Sequence, residues 1–476
     1  MANEKQFVQN IADMNVDFPQ WYTDVVIKTE LVDYGPVKGT MVIRPYGYAI
    51  WENIQREMDQ RFKSLGVKNA YFPMLIPESY LKREAEHVEG FAPEVATVTH
   101  AGGEKLAENL VIRPTSETII CEMYSKWMHS YRDLPIIVNQ WANVMRWEKT
   151  TRPFLRTSEF LWQEGHTAHA TEEEAREETI LMLKAYEKFM NEVLAIPVFT
   201  GIKTEKEKFA GAVETYGVEA MMLDGKSLQA GTSHYLGQNF AKAFNMKFLD
   251  KDNVLKYAYS TSWGTSTRMI GAVVMAHGDM RGLLLPPKIA PVQAIVIPVA
   301  QYKEGVLDKA TEITEKLKSL GVRAQADTRD FSPGWKFNEW EMKGAPIRIE
   351  IGPRDIENGV CMVSRRDNFE KFALPLSDIE KIPDLLNTIQ KDMLEKSRKI
   401  RDGKVVSAKN VDEILSGVEN KNFVKAAWCG CRECEDKIKE VTAASARVIT
   451  DDDAEGKVCA VCGKKAKRIV LFARAY

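Results

Sequence analysis

Residues 144–166 read VMRWEKTTRPFLRTSEFLWQEGH, and few folds can use that order of side chains. A core strand would not carry so many charges, and a solvated loop would not carry so many large apolar groups. Strand side chains alternate between faces, so Arg146 and Glu148 point one way and Met145 and Trp147 the other. On the return segment Phe160, Trp162, Glu164 and His166 share a face. A hairpin with the long loop KTTRPFLRTS brings the two polar-aromatic faces together. There the planar fork of Arg146 suits a carboxylate or phosphate, and Glu148 suits an amino group on a planar ring. Arg152 and Arg156, on the loop, reach for further phosphates. The plainer alternative is a surface sheet laced with cross-strand ion pairs.

Other segments weigh against the plainer alternative. TSE at 115–117 follows VIRP and combines hydroxyls with a carboxylate at a chain reversal. QAGTSHYLGQNF (229–240) packs polar groups around two glycines, a composition suited to close ligand approach. SWGTSTRMIGAVVMAHGD (262–279) sets Arg268 just before an apolar, small-residue helix. Any one of these has an ordinary surface explanation; together they describe a pocket.

At 476 residues the chain exceeds what one core serves, and a formal net charge of -2 gives no basic coat for nucleic acid. No run of 18 apolar residues exists and the N-terminus is too polar for a signal peptide, so a cytoplasmic protein without a membrane span is expected. Helical lead-in and short strands are expected up to about residue 40, then helices at about 50–65, 115–132 and 171–195. KNAYFPMLIP and PIIVNQWANVMRWE read as strands. The prolines of PPKIAP (286–291) mark a linker. Beyond them QAIVIPV, a helix at about 303–320, VRAQAD, a segment near 334–343, IRIEIG and GVCMVSRR alternate strand and helix.

Cys121 and Cys361 stand alone, whereas Cys429, Cys431, Cys434, Cys459 and Cys462 crowd the last fifty residues, a metal-like pattern. Cys459 and Cys462 form a clean Cys-x-x-Cys. The other cluster offers three sulfurs for two places, and spacing alone favours Cys431 with Cys434. His166 and His169 also invite a metal reading, but no third ligand is evident beside them.

With these segments in order, the chain resembles a class II aminoacyl-tRNA synthetase, and within that class the prolyl-tRNA synthetases of archaeal and eukaryotic type. GTMVIRPYGYAIWENIQREM resembles class motif 1, with Pro45 and Gly47 on a dimer-facing element; VMRWE through FLWQEGH resembles motif 2; GTSTRMIGAVVMAHGD resembles motif 3. RPTSET is similar to a proline-binding Thr-x-Glu signature, and KGAPIRIEIGPRD to an anticodon-binding domain. The resemblance implies an α+β catalytic domain over 1–285, with an antiparallel sheet and flanking helices. An α/β anticodon-binding domain over 286–398 and a small α+β zinc-binding domain over 399–476 would follow.

The implied activity is proline–tRNA ligation: attack of the proline carboxylate on ATP gives prolyl-adenylate and pyrophosphate, and proline then passes to the 3′ end of tRNA(Pro). The implied proline site is Thr115, Glu117, Arg146, Trp162, His166, Phe209 and His234. The implied ATP site is Arg146, Glu148, Arg156, Thr157, Gln229, Thr232, Ser266 and Arg268, with Arg146 and Arg268 catalytic. Mg²⁺ accompanies ATP, because two anions must be brought together, and no protein nucleophile is needed.

The family's wider spacing favours Cys429, Cys434, Cys459 and Cys462 as a structural Zn²⁺ site, and the resemblance sets the Tyr476 carboxylate near the active site. A homodimer is implied. Some of Lys336, Glu339, Arg348, Glu350, Arg354 and Asp355 would read the anticodon. The first 285 residues hold no cysteine cluster for the zinc of a threonyl enzyme, and no long N-terminal coiled coil for a seryl one. About a hundred residues between motifs 2 and 3 leave no room for a bacterial-type editing insertion. A pocket that sorts by size separates cysteine from proline poorly, so cysteine activation is expected as well. The alternative is a non-catalytic paralogue that binds RNA or regulates.

Overall fold

The computed structural model describes residues 11–87 and 94–476. The expected lead-in falls partly on residues 1–10, outside the described residues; the first described helix is Phe18–Lys28, capped by Asp17.

One sheet of 11 strands organises most of the chain. Its catalytic half is antiparallel apart from the short edge strand Lys68–Asn69, which runs parallel to Ile136–Met145. From there the order is Ile136–Met145, Glu159–His169, Tyr259–Ser266, Ser227–Gly237, Glu214–Met221 and Val198–Ile202. The hairpin expected from 144–166 forms, with Val144 opposite Phe160 and Ala142 opposite Trp162. Register fixes the faces, so Phe160, Trp162, Glu164 and His166 all line the same cavity. On the other face the indole of Trp263 packs into the core beside Phe62. A Cβ on Gly165 would stand 2.2 Å from that indole, which is why the position opposite Trp263 carries no side chain.

Helices cover the apolar face. Glu172–Glu192 starts at Thr171, whose hydroxyl accepts from the Glu174 amide, and three glutamates sit in its first turn where the helix dipole favours them. Its Met182, Tyr186, Phe189 and Met190 enter the main core with Trp51, Ile54 and Phe62 of the helix Pro45–Ser64. KNAYFPMLIP does not form one strand. It splits into Lys68–Asn69 and Leu75–Pro77, which join different sheets, since the central Pro73 cannot continue a ladder.

A separate five-stranded sheet follows, with Ala324–Ala326, Ala294–Pro298 and Ile347–Ile351 parallel and Val360–Arg365 and Lys371–Pro375 antiparallel. Helices Val306–Ser319 and Ile382–Asp402 pack against it. The segment 286–291 is not a loose tether. Ile289 and Ala290 are buried in the main core, and Arg323 donates to the carbonyls of Pro287, Lys288 and Ala290. The helix Ile382–Asp402 runs unbroken through position 398.

The last segment contributes Val405–Ala408, Phe423–Trp428, Arg468–Ala473 and Ser445–Ile449, and these extend the catalytic sheet instead of forming a sheet of their own. Ile449 pairs with Ile202 at the join. A Cβ on Gly201 would meet the Ile449 carbonyl at 2.5 Å, so glycine is what allows the strands to close there. Among the described residues no helix is long and apolar enough to cross a membrane.

Candidate active site

The expected hairpin face and the three other polar segments converge on one cavity of about 280 Å³. Arg146 leaves the hairpin with its Nε bonded to the Pro114 carbonyl at 3.0 Å, and its guanidinium lies over the rings of Phe160 and Trp162. Arg268 opens the helix Arg268–His277; its Nε bonds the Leu155 carbonyl at 3.0 Å and its amide bonds Ser266 Oγ. Both cations are anchored through main-chain carbonyls, and neither forms an ion pair with a carboxylate among the described residues. Burial pushes the pKa of each guanidinium down. For Arg146 the charges of Glu117, Glu164 and Glu148 work against that push, and for Arg268 the charges of Arg146 and Arg156 add to it. Two arginines held this way favour the arrival of an anion.

Across the cavity stands the chain reversal 115–117. Ser116 precedes the helix Glu117–Trp127, which ends earlier than the sequence pattern suggests, and a short 3-10 turn, Tyr131–Asp133, follows it. Ser116 does not cap the helix with its side chain. Its hydroxyl and amide both go to the buried carboxylate of Glu164, which also accepts from Gln140 Nε2. Thr115 Oγ1 donates to the Glu117 carboxylate, and both side chains are buried in the cavity wall.

The two pocket histidines differ. His166 Nε2 lies 3.0 Å from Glu164 Oε2; burial lowers its pKa, but that hydrogen bond and the charges of Glu117 and Glu164 prevail and raise it. His234, with Nδ1 on Thr215 Oγ1 and its ring 4.8 Å from Phe209, is pushed down to about 3 by burial and by the charges of His166 and Lys203. Trp162 Nε1 and Ser262 Oγ are buried at the cavity without a hydrogen-bond partner, which marks two donors available to a ligand.

The expected residues fall into three groups. Thr115, Glu117, Arg146, Trp162, His166, Phe209, His234, Gln229, Thr232, Ser266 and Arg268 line the cavity. Glu148 and Arg156 line an adjoining cavity that shares Arg146, and they bond each other at 2.8 Å. Thr157 lies in neither lining; it is buried, and its hydroxyl donates to the Glu159 carbonyl. The structure adds Glu164 to the cavity lining, backed by Ser116 and Gln140 in a buried polar network behind the wall. Glu164 lay on the same alternating face as Trp162 and His166, a signal that could have given it a role. Gln140 had no such signal, because only strand pairing sets it opposite Glu164.

The sulfurs of Cys429, Cys434, Cys459 and Cys462 all lie within 4.8 Å of one another, and Cys429 is 3.7 Å from both Cys434 and Cys462. Zn–S bonds of about 2.3 Å in a tetrahedron imply sulfur separations of about 3.8 Å, which the two 3.7 Å pairs meet, so this donor set fits zinc. Cys431 stands outside, its thiol on the Glu433 carboxylate. His166 and His169 lie an odd number of residues apart on one strand, so they face opposite ways, and His169 is bonded to Thr167. The Tyr476 hydroxyl bonds Asp224, and its amide bonds the Ser227 carbonyl, two residues before Gln229.

The antiparallel sheet, with Arg146 and Arg268 held on main-chain carbonyls across from the Thr115–Glu117 corner, has the architecture of a class II aminoacyl-tRNA synthetase, and the match to known families bears this out. Residues 98–277 match the class II tRNA synthetase core domain of the G, H, P, S and T group. Residues 293–383 match an anticodon-binding domain, and 411–476 match the prolyl-tRNA synthetase C-terminal domain. The chain is 61% identical to the proline–tRNA ligase of Alkaliphilus oremlandii, with 99% of each chain covered. It is 57% identical to proline–tRNA ligase 2 of Clostridioides difficile, over 100% of this chain and 99% of that one. The prolyl-tRNA synthetase of Cryptosporidium parvum in complex with halofuginone and AMPPNP superposes with a TM-score of 0.94 at 43% identity, covering 98% of this chain and 99% of that one. The same enzyme with L-proline and AMP gives 0.92 at 41% identity, over 98% and 96%. The chain belongs to the prolyl-tRNA synthetase family.

Proposed function

We infer that this chain activates proline with ATP and transfers it to tRNA(Pro). The observation that carries the reading is one cavity in which Arg146 and Arg268, each anchored on a main-chain carbonyl, face the Thr115–Glu117 pair. Proline's secondary ammonium has two N–H donors, met by the Glu117 carboxylate and the Thr115 hydroxyl. Its ring enters the slot walled by Trp162, Phe209 and His166. Its carboxylate turns toward Arg146, which also faces the α-phosphate of ATP, so one cation offsets the repulsion between nucleophile and electrophile. Arg268 takes the charge of the departing pyrophosphate. Gln229, Thr232 and Ser266 complete the nucleotide site. Glu148, once released from Arg156, meets the adenine amino group and leaves Arg156 for phosphate. ATP arrives as its Mg²⁺ complex, which adds positive charge on the phosphates.

The cysteine cluster holds a structural Zn²⁺, since four thiolates leave no open position. The chain divides into catalytic, anticodon-binding and terminal zinc-binding portions near 285 and 398, and a cytoplasmic homodimer is the working form. The exposed Tyr34, Val42 and Tyr48 beside the expected dimer-facing element support that assembly.

ATP–pyrophosphate exchange against all twenty amino acids, without tRNA, tests the reading. Proline should give the main signal, and cysteine a signal about 10–200-fold lower in kcat/KM, the discrimination a size-sorting pocket supplies. No exchange with any amino acid from folded, zinc-replete protein would favour a non-catalytic RNA-binding paralogue.

A further inference from the structure

The wall of the cavity that carries Phe209 is built by residues 203–213, between the strands Val198–Ile202 and Glu214–Met221, and Glu207 and Lys208 line the cavity beside it. On its inner side this loop is tied to the catalytic sheet, through Lys203 N to the Thr215 carbonyl at 2.7 Å and Phe209 N to Thr215 Oγ1 at 2.9 Å. On its outer side it is tied to the terminal segment. Thr204, 2% exposed, donates to Glu435 Oε1 at 2.9 Å, and Lys206 forms an ion pair with Asp436.

Glu435 sits in the first turn of the helix Arg432–Thr442, and Asp436 follows it, so both come directly after Cys434, one of the four converging thiols. The same end of the helix therefore contributes a ligand to the metal-type cluster and two anchors to a wall of the amino-acid slot. Among the described residues no hydrogen bond or ion pair joins this helix to the nucleotide end of the cavity. Arg268 is held by Leu155, and Arg156 by Glu148.

We propose that Glu435 and Asp436 are positioning residues for proline binding, through which the thiol cluster of the terminal segment sets the placement of Phe209. The proposal rests on the reading of Thr115, Glu117 and Phe209 as the proline site. A general role in stability would weaken both substrates alike. A positioning role predicts a split, with proline binding loosened and ATP binding kept.

The test is exchange kinetics on the full-length protein, with zinc content measured for every variant. Glu435→Ala should raise the proline KM about tenfold, the size of one buried hydrogen bond to a charged group, with the ATP KM and kcat held within about twofold. Glu435→Gln keeps an acceptor for Thr204 and should recover most of that loss. If Glu435→Ala does not fold, the more exposed pair carries the test. Lys206→Glu should raise the proline KM about threefold, and adding Asp436→Lys should bring it back. Unchanged proline KM in zinc-replete Glu435→Ala and Lys206→Glu, or an ATP KM that rises in step with it, would overturn the proposal. Absence of proline exchange in the unaltered protein would instead overturn the reading of the pocket itself.

Discussion

Two clusters of buried charge in this molecule look alike in composition and differ in what they are for. In the cavity Arg146 and Arg268 are anchored by carbonyls, with no carboxylate contact to neutralise either among the described residues. At the join between the catalytic sheet and the terminal strands, Glu219 is fully buried and accepts from Lys203, Ser227 and the Nε and Nη2 of Arg447. Burial raises the pKa of the Glu219 carboxyl, but the two cations and their hydrogen bonds pull it below the usual carboxylate range. A buried charge network that closes on itself is structural. One left open toward a cavity is waiting for a partner, and its cost to the fold is the preorganisation that the reaction uses.

The largest expected effect comes from breaking the closed network. Glu219→Ala leaves Lys203 and Arg447 buried without their anion and should cost about 3–5 kcal/mol, read as a lowered denaturant midpoint. Opening the open one further should do the reverse. Arg268→Ala should leave the midpoint unchanged or raised while lowering kcat for proline-dependent exchange by about 10²–10³. If Arg268→Ala unfolds the protein as readily as Glu219→Ala, the distinction between the two clusters fails. Glu117→Gln removes one charge from the cavity and keeps its shape. The proline KM should rise about 10–100-fold with the ATP KM kept, and near-normal kinetics would remove Glu117 from the ammonium site.

The smallest effects sharpen the comparison through pH. His169, bonded to Thr167, is held down to about 4 by burial, from an ordinary 6.5. The unfolded chain takes up that proton below about 6.5 while the native chain resists until about 4, so stability falls with pH across that window. His166 behaves oppositely. Its pKa is raised by Glu164 against burial, so its contribution is full below 6.5 and is lost as pH rises through the raised value. His169→Gln should flatten the acid limb of the melting temperature against pH, and His166→Gln the alkaline limb. Identical profiles for the two variants would show that the Glu164 contact does not hold the His166 proton.

Much of the pocket was legible because its chemistry is local. Alternation alone puts Phe160, Trp162 and His166 on one face, and the hairpin that the stretch 144–166 predicts then brings Arg146 to it. Short spacing made the cysteines readable in the same way, although the choice between Cys429 and Cys431 needed the family spacing and not the residues alone. Thr157 is the expected site residue that lines neither cavity, its hydroxyl donating to the Glu159 carbonyl two residues away, a contact that no residue pattern announced. The prolines of 286–291 suggested a linker, yet Arg323, distant in sequence, clamps that segment into the core.

By itself the sequence determined the hairpin, the charged and aromatic face it presents, the amphipathic helices and the thiols that come together. The hairpin and the helices follow from periodicity within a few residues, where sterics and hydrogen bonding act directly, and the thiols follow from two short-spaced clusters read with the family spacing. Only the tertiary structure decided that Gln140 stands behind Glu164, that Glu219 answers Arg447, that Thr204 meets Glu435, and that the terminal strands continue the catalytic sheet. Those pairings join residues tens to hundreds of positions apart. Their register is selected by the burial of whole faces, which no local pattern records.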